Sequence, residues 1–249
     1  MITIKTKEEI EVIRQNGKIV AQTLDLLHKS TTPGISTIEL NNLADTFIRD
    51  NGATPATFTK GFPKSICISI NEEVVHGIPS DRKLEEGQIL TFDVCISKNG
   101  FCADAAITVC VGNVSDSVKR LADVCNQSLE KGIEKAIVGN RINDISSAIY
   151  NYVRSNGFNV IRDYGGHGIG KELHEDPFVP NCWCSRRELG SSILEGMVFT
   201  IEPMICCGKR AVKTLDNGWT IVTKDGSLAA HCEHTIVIVD GKLEILTKL

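Results

Sequence analysis

Long apolar runs are missing from this sequence. Nowhere in its 249 residues does one approach the roughly 20 positions that a membrane-spanning helix needs. Met1 to Glu9 carries Lys5, Lys7, Glu8 and Glu9, with no apolar stretch behind them that would make a signal peptide. A cytoplasmic protein is expected. Positive charge is also short: 27 Lys and Arg stand against 31 Asp and Glu, for a net charge of −4. Phosphate binding needs clustered basic residues, so dedicated nucleic-acid or anionic-membrane binding is demoted. No Pro-, Gly- or Ser-rich linker and no low-complexity tract divides the chain, which predicts a single domain over residues 1–249.

The ten cysteines are scattered through a chain without a readable secretion signal, where reduced thiols are the default, and most read as small buried hydrophobes. Cys182-Trp183-Cys184 and Cys206-Cys207 supply four thiolates, but not at the usual Cys-x₂-Cys spacing. Ordinary loop and core thiols are favoured there over a structural zinc site.

What is present is one motif used twice. Thr6-Lys7-Glu8-Glu9 is a capping box, and Ile10, Ile13, Gly17, Val20, Leu24 and Leu27 follow at spacings of three and four, predicting an amphipathic helix over 7–28. His28 ends it, where an imidazole suits the helix dipole and needs no further role. After Thr32-Pro33-Gly34 a second box, Ser36-Thr37-Ile38-Glu39, opens a helix with Leu40, Leu43, Ala44, Phe47 and Ile48 on one face, ending at Gly52. In a second copy Gly34 becomes Gly139, the apolar set becomes Ile145, Ala148, Ile149, Tyr152 and Val153, and Gly52 becomes Gly157. A first helix precedes this copy too, with Val118, Leu121, Cys125, Leu129 and Ile133 as its face.

The repeat continues into strands. Glu86-Gly87-Gln88-Ile89-Leu90-Thr91-Phe92-Asp93 lines up with Glu195-Gly196-Met197-Val198-Phe199-Thr200-Ile201-Glu202. A period near a hundred residues is too long for a solenoid, so the expected fold is a pseudo-twofold α+β domain: two helix-helix-strand halves, roughly 1–112 and 113–249, around an antiparallel sheet. Asp93 and Glu202 then sit at matching positions, at an internal interface of the kind that favours a site.

Thr91–Ile96 and Phe101–Val111 flank Ser97-Lys98-Asn99-Gly100 and read as a β-hairpin. With Lys98-Asn99 as the loop, Asp93 lies opposite Asp104; with Asn99-Gly100 it lies diagonal to it, on the same face either way. Two carboxylates are forced together among apolar residues, so either one is protonated or a cation sits between them. The second half adds Glu202 and Glu233, and His167 lies in Gly165-Gly166-His167-Gly168-Ile169-Gly170. Four carboxylates with one imidazole suit Mn²⁺, Fe²⁺, Co²⁺ or Zn²⁺, and bridging carboxylates hold two such ions ~3.5–4 Å apart. The glycines around His167 also admit a plain turn; a phosphate loop is disfavoured, because neither Rossmann spacing nor Lys-Ser/Thr follows. His231, two residues before Glu233, is open between a pocket role and a surface or core position.

These residues resemble the type I methionine aminopeptidases. The resemblance runs through Asn71-Glu72-Glu73-Val74-Val75-His76-Gly77-Ile78-Pro79, Asp93, Asp104, Gly166-His167-Gly168-Ile169-Gly170, His174-Glu175-Asp176-Pro177, Thr200-Ile201-Glu202-Pro203-Met204, Asp216-Asn217-Gly218-Trp219-Thr220 and Glu233-His234-Thr235. It implies the pita-bread fold, two divalent metal ions (Co, Mn, Fe, Zn or Ni), and Asp93, Asp104, His167, Glu202 and Glu233 as their ligands. It implies that His76 and His174 contact the reacting peptide, with Glu202 accepting a proton, and that Phe62, Cys67 and Trp219 line the methionine pocket. The implied reaction removes the initiator methionine from nascent chains with a small second residue, through attack by a metal-bridging hydroxide. A monomer with at most a transient ribosome contact is expected. Two other readings remain: a proline-directed peptidase of the same fold, which usually carries an added amino-terminal domain, and a binding protein that has lost its metals.

The sequence departs from the family at the first hairpin. A small hydroxyl residue is usual two positions after the first Asp, a His two before the second and often Thr just after it; here Cys95, Cys102 and Ala105 stand there. Period two puts both thiols on the face of the aspartates, which puts metal preference and turnover in question. Leu173 stands where the family often has Phe, implying a looser pocket.

Overall fold

The structure is a computed structural model and describes residues 1–182 and 190–249. The chain opens with α1 (Lys7–Ser30) and α2 (Thr37–Asp50), followed by β1 (Thr54–Pro55), a 3₁₀ turn at Ala56–Lys60, β2 (Cys67–Ile70), β3 (Glu73–Val75), β4 (Ile89–Lys98) and β5 (Phe101–Cys110). Then come α3 (Asp116–Ile133), α4 (Ile142–Ser155), β6 (Asn159–Val160), β7 (Gly165–Gly168), β8 (Glu175–Pro180), β9 (Val198–Ile201), β10 (Met204–Cys206), β11 (Val212–Thr214), β12 (Ile221–Thr223), β13 (Ala229–His231), β14 (Glu233–Val239) and β15 (Lys242–Ile245). No helix among the described residues is long and apolar enough to cross a membrane.

Both predicted capping boxes form. Thr6 N–H donates to Glu9 Oε2 at 3.0 Å and Glu9 N–H to Thr6 Oγ1 at 3.3 Å; Ser36 and Glu39 repeat the exchange at 2.8 and 3.3 Å. In the second copy Arg141 stands where Ser36 does, and only its backbone N–H is capped, by Asp144 Oδ2 at 2.8 Å. α1 runs two residues past the predicted end at His28, because Ser30 and Thr31 turn their hydroxyls onto the carbonyls of Leu26 and Leu27.

The two halves share one antiparallel sheet. Its order is β1-β4-β5-β14-β9-β7-β8, with β2 beside β4 and β15 beside β14. The repeat seen in the sequence is kept in three dimensions: single bridges join Ser36 to Lys83 and Arg141 to Ser192, and Gly34 and Gly139 hold φ near 95° and 96°. α1 and α2 cover the first half with Val20, Leu24, Leu27, Leu40 and Ile48. α3 and α4 cover the second with Leu121, Cys125, Ile145 and Ile149. Burying such faces, at about 25 cal/mol per Å² of apolar surface, is what holds the helices on the sheet.

The hairpin takes the second of the two turns the sequence allowed. Lys98 pairs with Phe101, leaving Asn99-Gly100 as the loop with φ of 53° and 79°. Both values are positive, as a type I′ turn requires, and Asn-Gly is the pair that tolerates them. Asp93 is therefore diagonal to Asp104, whose direct partner is Cys95. Asn16 of α1, buried, donates through Nδ2 to the carbonyls of Lys98 and Phe101 at 3.0 and 2.9 Å. The helix thus clamps the base of the turn.

Gly165–Gly168 is a strand, not a turn. A Cβ on Gly166 would stand 2.3 Å from the Thr200 carbonyl oxygen, and one on Gly168 2.0 Å from that of Asp176. The glycines are present because β7 is squeezed between β8 and β9, which fixes where His167 projects.

Candidate metal centre and adjoining pocket

Asp93 comes from β4, Asp104 from β5, His167 from β7, Glu202 from the residue after β9 and Glu233 from the start of β14. All five line one cavity together with His76, Tyr164, His174 and His231. Asp104, His167 and Glu233 each offer one donor atom within 4.8 Å of the others, and so do Glu202, His231 and Glu233. His167 Nε2 lies 3.6 Å from Glu202 Oε1 and 4.0 Å from Asp104 Oδ2.

The joint between β5 and β14 is short, pairing only Ala106 with Glu233 and Ala105 with His234. Thr235 extends it: its hydroxyl accepts from Asp104 N–H at 3.2 Å and donates to the Asp104 carbonyl at 2.6 Å. Glu202 is oriented by Thr200, whose hydroxyl donates to Oε1 at 3.1 Å and accepts from His167 N–H at 3.0 Å.

Burial first, and then mutual repulsion, governs the ionisation of these groups. Burial raises Asp93 to about 6, and burial followed by Asp93 raises Glu202 to about 8. Asp104 and Glu233 are pushed well up by burial and by the neighbouring carboxylates. The imidazoles move the other way: burial lowers His167 and His231 to about 3 and His174 to about 4. Close as His167 stands to Glu202, burial works against an ion pair between them, because it favours the uncharged form of both the carboxyl and the ring.

Among the described residues, Asp104 Oδ1, Glu233 Oε1 and both ring nitrogens of His231 are buried without a hydrogen-bond partner. Unpaired buried acceptors are costly and rare. Asp104, Glu233 and His231 line one cavity together with carboxylates that repel each other, and divalent cations there satisfy both conditions at once for Asp104 Oδ1, Glu233 Oε1 and His231 Nε2. The donor set, oxygen-rich with neutral imidazoles, fits Mn²⁺, Fe²⁺, Co²⁺ or Zn²⁺.

An apolar pocket adjoins this centre. Phe62, Cys67, Cys95, Leu173 and Trp219 line it with His76, His174 and Lys60, and Asp93 and Asp104 form its inner wall. The Phe62 and Trp219 rings meet edge to face at 5.3 Å, and His76 meets Trp219 at 6.5 Å. His76 holds φ at 59°, and its carbonyl accepts from Thr220 Oγ1 at 3.2 Å. A non-glycine residue in that region costs of order 1–3 kcal/mol and is found where its side chain must be aimed. The His167 and His174 rings are perpendicular, 4.3 Å apart.

Of the two hairpin thiols that share the aspartates' face, only Cys95 lines the pocket. Cys102 lies two pairs nearer the turn, opposite Ser97, and its thiol faces the Lys171 carbonyl at 3.9 Å. The second pocket thiol is Cys67, across from Asp93 on β2. Cys206 is buried in β10, its thiol donating to the Gly208 and Lys209 carbonyls at 3.6 Å. Cys184, one of the four thiols of the structural-zinc alternative, lies outside the described residues, as does Trp183. His231 is the residue that sequence reasoning left undecided, and the structure buries it at the cavity wall with 1% exposure. Its parity with Glu233 was the available signal.

The model of metallopeptidase family M24 matches residues 11–240. The chain is similar to methionine aminopeptidase of Clostridium acetobutylicum, with 51% identity over 99% of both chains. Among solved structures it is similar to methionine aminopeptidase from Thermotoga maritima, at a TM-score of 0.96 and 42% identity over 100% of both chains. Prolidase from Pyrococcus furiosus shares the fold at a TM-score of 0.78 and 23% identity, with 99% of this chain covering 65% of that one. The architecture is the pita-bread fold.

Proposed function

The chain belongs to metallopeptidase family M24, and on that footing we propose that it is an aminopeptidase removing the N-terminal methionine of newly made proteins, with Asp93, Asp104, His167, Glu202 and Glu233 holding two divalent cations. The observation that carries this reading is the convergence of those five side chains on one cavity; two of them, Asp93 and Asp104, also line the adjoining apolar pocket. When bound, divalent cations supply Lewis acidity, polarising a carbonyl and lowering the pKa of water.

The chain's own groups do the rest. Phe62, Trp219, Cys67 and Leu173 receive the methionine side chain, whose sulfur packs well against aromatic edges. His76, fixed by its backbone and by Thr220, steers the peptide at the boundary between pocket and centre. His174 is neutral because of its burial, so its N–H stabilises a developing oxyanion without adding positive charge. Glu202 takes the proton of the attacking water and passes it to the leaving amine. A small second residue is the preference that likeness to the methionine aminopeptidases implies. The reading further implies a monomer working in the cytoplasm on emerging chains, with a transient, salt-sensitive ribosome contact at most.

The test is release of methionine from Met-Ala-Ser and Met-Leu-Ser by chelator-stripped protein supplied in turn with Mn²⁺, Co²⁺, Fe²⁺, Zn²⁺ and Ni²⁺. Metal-dependent cleavage of the first with little of the second supports the reading. Silence with every ion in folded protein assigns the chain to a binding role, and cleavage of an Ala-Pro peptide instead assigns it to proline-directed activity.

A further inference from the structure

The internal repeat brings one more side chain to the centre than the five-residue set contains. Thr235 clamps the backbone N–H and carbonyl of Asp104 with one hydroxyl, at 3.2 and 2.6 Å. Thr108 does the same to His231, accepting from its N–H at 3.1 Å and donating to its carbonyl at 2.7 Å. The ladders agree with this correspondence. Phe92 faces Ile107 just as Ile201 faces His234, so the match that aligns Asp93 with Glu202 also aligns Thr108 with Thr235 and Asp104 with His231. His231 is the counterpart, in the second half, of one of the carboxylates at the centre.

Its surroundings fit a donor. His231 is 1% exposed, and neither ring nitrogen has a hydrogen-bond partner among the described residues. Nε2 lies 3.7 Å from Glu202 Oε2 and 3.9 Å from Glu233 Oε2. Those separations are too long for hydrogen bonds. Two donors that each sit about 2.0–2.2 Å from a common ion stand about 3–4 Å apart. Glu202 thereby faces an imidazole with each oxygen: His167 at 3.6 Å from Oε1 and His231 at 3.7 Å from Oε2. A histidine serving only to fill the core would pair its nitrogens with backbone or hydroxyl groups, as His234 Nδ1 does with Thr247 Oγ1 at 2.9 Å.

We propose that His231 is a further nitrogen donor to the metal centre, so that Glu202, His231 and Glu233 form one triad and Asp104, His167 and Glu233 the other. This rests on the two-cation reading above, and the test separates the two. Chelator-stripped wild type and His231→Gln are titrated with Co²⁺, followed by calorimetry and by the visible absorption of the ion, with thermal unfolding of the stripped proteins as the control for folding. Wild type is expected to take up two ions; in the variant one of the two affinities falls at least tenfold and the absorption band changes, while the stripped protein still unfolds cooperatively. Equal affinities and an unchanged band overturn the proposal. A wild type that binds no ion overturns the reading beneath it. A second measurement needs no variant: in wild type carrying ¹⁵N-labelled histidine and two equivalents of Zn²⁺, two of the six imidazole Nε2 resonances move to the metal-bound position. A single moving resonance overturns the proposal.

Discussion

The hydroxyl of Thr235 satisfies both backbone polar groups of Asp104, accepting from the N–H at 3.2 Å and donating to the carbonyl at 2.6 Å. The two residues belong to different halves of the chain, and Thr235 is fully buried. One side chain therefore stitches the halves together at the centre itself.

Thr235→Val keeps the shape and removes the stitch. It leaves a buried N–H and carbonyl without that partner, at a cost of about 1–3 kcal/mol, and lets the Asp104 carboxylate drift. Urea unfolding is expected to show that loss together with weaker Mn²⁺ binding, and Thr235→Ser is expected to restore most of both. A valine variant as stable as the parent would show that the contact contributes nothing net.

Gly166→Ala tests the squeezed strand. Its Cβ would meet the Thr200 carbonyl at 2.3 Å, forcing β7 away from β9 and moving both His167 and the Thr200 hydroxyl that orients Glu202. Overpacking of this kind costs about 1–3 kcal/mol. Thermal unfolding and metal titration should both register it; unchanged metal affinity would mean that His167 is positioned by other contacts.

Stability should fall with rising pH in chelator-stripped protein between about pH 7 and about pH 8. The folded state keeps the Glu202 proton to about 8, against an ordinary value of 4.5. In that window folding takes up a proton that the unfolded chain has already released, and stability declines by up to about 1.4 kcal/mol per pH unit for each such group. Asp104 and Glu233, raised by burial, act in the same direction. The lowered histidines oppose this only below an unfolded value near 6.5, outside the window. Saturating Mn²⁺ displaces the protons and is expected to flatten or reverse the slope. Urea midpoints with and without Mn²⁺ check the sign, and a rise with pH in the stripped protein would contradict it.

Cys95 offers a chemical probe of the altered hairpin. It stands opposite Asp104 and lines the pocket with Cys67. Burial pushes both thiols well above their ordinary range, and the neighbouring aspartates add to this, so they react as slow, neutral thiols. A small methanethiosulfonate reagent is expected to abolish methionine release gradually. Cys95→Thr is expected to slow that loss roughly two- to fivefold, the remainder arising at Cys67. Equal rates in both proteins would exclude Cys95 as the sensitive group.

What the sequence made legible was local or repeated. The capping boxes at Thr6 and Ser36 are four-residue signals, and both form. The match of Glu86–Asp93 to Glu195–Glu202 survives as two ladders with the same register. The common face of Asp93 and Asp104 follows from a period of two and did not depend on the turn. The turn itself was left open, because both two-residue loops keep that parity; the ladder decided for Asn99-Gly100, the pair able to hold two positive φ angles. Harder to read were Gly166 and Gly168, whose reason lies in carbonyls on neighbouring strands.

The sequence by itself determined the repeat, the helices and the set of carboxylates, since these rest on periodicity and short-range chemistry. Tertiary structure alone decided which side chains stand around one space. Thr108 reaches His231 and Thr235 reaches Asp104 across more than a hundred residues, and such contacts leave no periodic trace in the chain. Whether Cys95 or Cys102 faces the pocket, and whether His231 is a core residue or part of the centre, depends on where the sheet curls and what packs behind it. Burial then sets the ionisation, because removing water from around like charges raises every carboxyl and lowers every imidazole at the centre.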